Sequence, residues 1–160
     1  MINVKAMEKM TREEKLKYMN ILAQGQLASE KDFTANLANI SAIINSAIEG
    51  CNWVGFYLMK DNELVLGPFQ GQPACNRIKV GSGVCGTVAR DRVVQRVDDV
   101  SKFVGHIACD SESKSEIVIP IIKDDKVIGV LDIDSPKIAR FSELEEEYLI
   151  KVVKKIESYL

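Results

Sequence analysis

Three of the four cysteines stand in segments that read as loops or turns: Cys75 in QPACN, Cys85 in GVCGT and Cys109 in IACDS. A free thiol is among the most buried residue types, so any one of them alone reads as packing. Three thiols in three loops read instead as convergence on one place, because loops carry function. The chemistry on offer is attack by a thiolate, disulfide formation or metal ligation. No pair has the C-x-x-C spacing, which excludes a thioredoxin-like motif and a zinc ribbon. With His106, the single histidine, the three form a C-x9-C-x20-H-x2-C series that matches no usual zinc finger. Cys51 follows Gly50 at the entry to a strand and reads as structural.

The carboxylates add a second kind of chemistry. Glu116 opens the apolar run SEIVIPII, seven residues after Cys109. Asp132 and Asp134 interrupt the apolar strand GVLDIDS, and alternation puts both on one face. Such acids form either a solvated outer face or a buried nest, and a nest is costly until a cation pairs with it. Glu116 shares their face only if the hairpin around Asp124-Asp125 has an odd loop or a bulge; a plain two-residue turn puts it on the other. Trp53 and Tyr57 alternate with Val54 and Phe56, so they are core aromatics or a wall for an apolar or cationic ligand. GSGVCG fits G-x-G-x-x-G at Gly81, Gly83 and Gly86. A dinucleotide site needs a preceding strand and a full helix in a βαβ unit. The helix here can run only to about Asp91, so the glycines serve tight turning that brings Cys85 close to other backbone.

The elements that must position these groups follow from period and punctuation. Thr11 and Glu14 form a capping box before Leu16, Met19, Leu22 and Ala23 at helical spacing. A second helix starts near Asp32, buries Phe33, Leu37, Ile40, Ile44 and Ile48, and ends at Gly50. NWVGFYLMK and NELVLGPF read as strands joined by Asp61-Asn62. A short strand, a Gly-rich turn with one or two helical turns, and the strand RVVQRV follow; the Asp124-Asp125 hairpin comes next. The last element is an amphipathic helix with the capping box Ser142 and Glu145 and the face Leu144, Tyr148, Leu149, Val152, Val153 and Ile156. The order predicts an α+β fold: a mostly antiparallel sheet of about six strands, with N-terminal and C-terminal helices packed on one face.

At 160 residues the chain is one domain's worth, able to bury a core without staples. A net charge of -2 with scattered Lys and Arg argues against nucleic acid. No apolar run approaches the ~18 residues of a membrane span. The start, MINVKAMEKMTREEK, lacks a signal peptide's apolar centre, so a cytoplasmic setting is expected.

NWVGFYL, LGPFQGQPAC, GSGVCGTVA, VGHIACDSESKSEIVIPI and VIGVLDIDSP together resemble the GAF-domain family of free methionine-(R)-sulfoxide reductases. The glycine motif and the GVLDID strand alone would say only GAF domain; the three cysteines in these contexts are more specific. The resemblance covers nearly the whole chain and implies a single GAF domain over 1–160. It implies that Cys109 is the catalytic cysteine, Cys75 the resolving one and Cys85 a third that joins disulfide exchange. Glu116, Asp132 and Asp134 match the acids that hold the substrate, and Trp53 and Tyr57 its aromatic wall. The implied reaction reduces the free amino-acid sulfoxide through a sulfenic acid and a disulfide, with thioredoxin as reductant, a homodimer as the assembly, and no metal or organic cofactor. Residue spacing alone leaves Cys75 and Cys85 open as partners of Cys109. It also raises a tension, since nearby carboxylates raise a thiol's pKa and suppress the thiolate. The competing class is a GAF domain that binds a small ligand or senses redox state through its cysteines without turnover.

Overall fold

The computed structural model describes residues 2–107 and 109–160. Among these residues four α-helices and six strands follow in the order α1 (Arg12–Ser29), α2 (Phe33–Ala47), β1 (Trp53–Lys60), β2 (Glu63–Gly71), β3 (Arg77–Lys79), α3 (Gly83–Asp91), β4 (Gln95–Val97), β5 (Ser115–Lys123), β6 (Lys126–Ser135) and α4 (Glu143–Ser158). Both capping boxes form: Thr11 with Glu14 starts α1, and Ser142 with Glu145 starts α4. Asp32 caps α2, accepting the Ala35 N–H at 2.8 Å. That helix stops at Ala47, short of the expected Gly50, which lies in the following turn at φ 76°.

The strands form one sheet in the order β3-β2-β1-β6-β5-β4, every neighbouring pair antiparallel. Asp61-Asn62 and Asp124-Asp125 all have positive φ, the backbone that two-residue hairpin turns require. At the second turn Lys123 faces Lys126 and Ile122 faces Val127, but Ile121 faces Gly129. Ile128 is therefore an extra residue on β6, a bulge that shifts the pairing by one. Beyond it Glu116 stands opposite Asp134, and Val118 opposite Asp132. This is the irregularity that a shared acidic face requires.

The sheet is covered on both sides. One face carries Val54, Phe56, Ile117, Ile119, Ile121, Leu131 and Ile133 into a core with Leu16, Met19, Leu37, Ile40, Leu149 and Val152 of α1, α2 and α4. The terminal helices thus share one face, as the sequence predicts. The other face carries Trp53, Tyr57, Val118 and Val130 against Val84, Cys85, Val88 and Ala89 of α3. The sequence predicts only one or two turns there; the nine residues of α3 form a lid over that half of the sheet. Leu144, expected on the buried face of α4, is exposed, while Glu145, next along and about 100° around the helix, turns inward to pair with Arg140 at 2.9 Å. No helix among the described residues is long and apolar enough to cross a membrane.

Candidate active site

The site lies on the α3 face, where β1, β5 and β6 meet the loop before β5. Its acids are placed by register. Asp132 pairs with Gly55 and Asp134 with Trp53 across β1, so these residues, Tyr57 and Glu116 share one side of the sheet. Above them sits Cys85. Gly81 and Gly83 take φ of 89° and 61°, and a Cβ on Gly86 would lie 2.3 Å from the Lys79 carbonyl oxygen. Glycine alone allows α3 to start this close to β3. The approach lowers the Cys85 thiol onto Glu116, where it donates to Oε1 at 3.8 Å.

Burial then dominates the electrostatics. Glu116 and Asp132 are each 6% exposed. Burial pushes the Glu116 carboxyl well above its ordinary range, and the neighbouring Asp132 and Asp134 charges push further. Asp132 is raised to about 6 by burial, held from rising more by hydrogen bonds with Glu116 and Cys85. Half-buried Asp134 is raised by burial first and then by the Asp132 charge. The same causes, burial ahead of the Asp132 and Glu116 charges, lift the Cys85 thiol well above the usual value. Like charges this close cannot all ionise, so the nest holds protons until a cation arrives. Asp132 Oδ1 is buried and has no partner among the described residues.

Cys75 and Cys109 are joined in a disulfide, their Cα atoms 5.3 Å apart across a separation of 34 residues. Cys109 lines the same pocket as Cys85, Glu116, Asp132, Asp134 and His106. Five of the eight sequence-predicted site residues therefore line one cavity, and a sixth, Cys75, is bonded to its rim. With two of the thiols in the disulfide, the Cys75-Cys85-Cys109-His106 zinc arrangement does not form.

Trp53 and Tyr57 are 2% and 1% exposed and are not in the wall of this pocket. Trp53 stacks with both Tyr57 and Phe69, with ring centroids 5.8 and 5.2 Å away. The indole lies over Gly55 and against Gly71, where a Cβ would come within 2.6 Å of it. From there both rings hold the segment that carries Cys75. Trp53 Nε1 donates to the Gln72 carbonyl at 3.2 Å, and the Tyr57 hydroxyl donates to the Cys75 carbonyl at 3.0 Å.

Asn52, Asp110 and Ser113 were not singled out by the sequence. Asn52 Nδ2 donates to Asp110 Oδ2 at 2.8 Å and to Ser113 Oγ at 3.1 Å, tying the Cys109 loop to the start of β1. The Asn52 N–H meanwhile donates to the Asp134 carbonyl at 3.0 Å. The one local signal is Asp110 accepting the Glu112 N–H at 2.9 Å, a turn an aspartate followed by serine and glutamate allows. His106, weighed only as a metal ligand, lines the pocket with Nδ1 buried and unpartnered among the described residues. Burial lowers its pKa, so it is neutral near pH 7.

A family model described as GAF domain matches residues 36–160. The free methionine-R-sulfoxide reductase of Escherichia coli (strain K12) is 51% identical over 134 residues, which cover 84% of this chain and 81% of that protein. This chain belongs to the GAF-domain family of free methionine-R-sulfoxide reductases. Family members of known structure agree in shape. The reduced form of the Staphylococcus aureus fRMsr matches with a TM-score of 0.87 at 52% identity, over 91% of this chain and 94% of that one. The free methionine-R-sulfoxide reductase of Neisseria meningitidis, in complex with its substrate, matches with a TM-score of 0.90 at 41% identity, over 94% of this chain and 90% of that one.

Proposed function

We propose that this protein reduces free L-methionine-(R)-sulfoxide to methionine, with Cys109 as nucleophile and Cys75 as resolving thiol. The observation that carries the reading is a Cys75–Cys109 disulfide at the rim of a pocket floored by buried, proton-holding carboxylates. In the reduced protein the Cys109 thiolate attacks the sulfoxide sulfur while an acid of the nest gives its proton to the departing oxygen. The resulting hydroxyl passes to the Cys109 sulfur as the new bond between the two sulfurs breaks, so methionine leaves with two more electrons at sulfur and Cys109 is left as a sulfenic acid. The Cys75 thiol displaces that oxygen as water and forms the disulfide. A dithiol reopens it by thiolate exchange. Glu116 is the preferred proton donor, since burial and then the neighbouring Asp132 and Asp134 charges favour its protonated form. The same protonation eases the tension noted in the sequence, because a nest that holds its protons suppresses the neighbouring thiolate less.

The acids account for the choice of a free amino acid. Its α-ammonium pairs with Asp132 and Asp134 through charge-assisted hydrogen bonds. A peptide amide carries no such charge and leaves buried carboxylates unpaired, at several kcal/mol. Trp53 and Tyr57 serve the substrate as the aromatic backing behind Asp134 and Cys75, a role supported by the Trp53–Asp134 pairing. Cys85, buried and bonded to Glu116, enters exchange only after Cys75. Thioredoxin as the dithiol and a homodimeric assembly come with the family resemblance, and recycling by thiol exchange calls for a reducing, cytoplasmic compartment. The span 1–160 acts as one GAF domain, a reading supported by α1 sharing its core with α2 and α4.

The deciding experiment measures methionine release from the separated R and S sulfoxides, and from a peptide-bound sulfoxide, with dithiothreitol. Turnover of the free R form alone, lost in Cys109→Ser, is expected. No turnover of any form overturns the enzyme reading and leaves a ligand-binding or redox-sensing GAF domain.

A further inference from the structure

We infer that Cys85, Glu116 and Asp132 form a binding site for a soft divalent cation of the zinc type, which occupies the acidic pocket in place of substrate. One ligand atom from each residue lies within 4.8 Å of the others, on three different elements: α3, β5 and β6. The Cys85 Sγ to Glu116 Oε1 distance is 3.8 Å. A tetrahedral zinc with sulfur at about 2.3 Å and oxygen at about 2.1 Å spans that pair at roughly 3.6 Å, and the Asp132 oxygen closes on it from within 4.8 Å. All three side chains are buried, at 4%, 6% and 6% exposure. Independently of the cluster's own hydrogen bonds, Asp132 Oδ1 is buried with no partner among the described residues. A buried carboxylate oxygen with an open lone pair beside a thiol is a ligand set that favours a cation accepting both sulfur and oxygen. Three protein ligands leave the fourth position to water from the pocket, the pattern of an accessible rather than a structural zinc site. On binding, Cys85 gives up its proton and becomes the thiolate ligand.

The site does not use Cys75 or Cys109, so it exists while the disulfide is closed. That distinguishes it from metal capture by the attacking thiol. Its consequence for activity rests on reading the pocket as the substrate site, since the ion then takes Asp132 from the α-ammonium and Glu116 from the sulfoxide oxygen.

The test uses the oxidised protein. Zinc is titrated calorimetrically, and cadmium is followed by the ultraviolet charge-transfer band of a thiolate–metal bond. Wild type and Cys51→Ser are expected to bind one ion per chain with that band. Cys85→Ala is expected to lose the band and at least about tenfold in affinity, the size even an outer-shell partner is worth. Glu116→Gln is expected to keep the band and bind more weakly. Should Cys85→Ala fail to fold, Cys85→Ser carries the same test. No stoichiometric binding, or binding indifferent to both Cys85 variants, overturns the proposal. Free methionine sulfoxide is then added to the loaded protein. Cys85-dependent binding that the sulfoxide does not displace supports the site and counts against the substrate reading. Turnover of sulfoxide by a protein that binds no ion overturns the site alone.

Discussion

Replacing Asp132 by asparagine should make the oxidised protein more stable at neutral pH. Burial raises the Asp132 carboxyl from 3.8 to about 6, and the residue is only 6% exposed. Below pH 4 the group is protonated both folded and unfolded, and it costs nothing. Between pH 4 and 6 the unfolded chain ionises it while the fold does not, so stability falls as pH rises. Above pH 6 the penalty is complete and constant. At 1.36 kcal/mol for each pH unit between the two values, it amounts to about 3 kcal/mol. Asparagine keeps the shape and carries no charge. The variant should therefore match wild type near pH 4 and exceed it by about 3 kcal/mol at pH 8, or roughly 6–12 °C in melting temperature for a chain of this size. Paired urea denaturations from pH 4 to 8 measure the difference directly, and exposed acids common to both proteins cancel. A stability difference that does not change with pH would refute the reasoning, as would a variant less stable than wild type at pH 8. The gain should come with a loss: in a Cys109→Ser background, where no turnover consumes it, free methionine sulfoxide should stabilise the protein by pairing with the nest, and far less once Asp132 is asparagine.

Cys75→Ser should release about one equivalent of methionine per chain and then stall, whereas Cys109→Ser should release none; rapid-quench assays with and without dithiothreitol separate the two. The Tyr57 bond survives in Cys75→Ser, because it goes to the backbone carbonyl. Gly55→Ala should lower the melting temperature by several degrees, since the added Cβ would lie 2.3 Å from the Phe69 Cβ and 2.6 Å from the Trp53 ring, an overpacking worth about 1–3 kcal/mol. A melting curve equal to wild type would mean that the β1–β2 contact yields without cost.

What the sequence declares is what local chemistry decides. Thr11 with Glu14 and Ser142 with Glu145 cap their helices in reality because a capping box needs only residues three apart. The shared face of Asp132 and Asp134 follows from strand period alone, and placing Glu116 beside them reduces to one yes-or-no question about a bulge, which Ile128 answers. Contacts between distant segments are not declared. Asn52 meets Asp110 and Ser113 across 58 and 61 residues, and no spacing rule reaches that far. The end of α3 at Asp91 is legible, but its placement over the sheet escapes for a related reason. GVCGTVARD is short and glycine-broken, a poor helix by propensity, and it is held by packing of Val84, Val88 and Ala89 on the second face of the sheet. A core place for Trp53 is one of the two readings its strand allows, and what decides it is hidden, since it depends on Gly55 on its own strand and Gly71 on the paired strand leaving room.

Trp53 is the single tryptophan of the chain. Its indole N–H is anchored on the Gln72 carbonyl, three residues before Cys75, and its ring stacks with Tyr57 and Phe69. Opening the disulfide removes one tie on that segment and leaves the bonds from Trp53 and Tyr57 to hold it. Intrinsic emission, with no dye and no label, is therefore expected to differ between the dithiol and disulfide forms, and a reductant titration followed at the tryptophan band measures it.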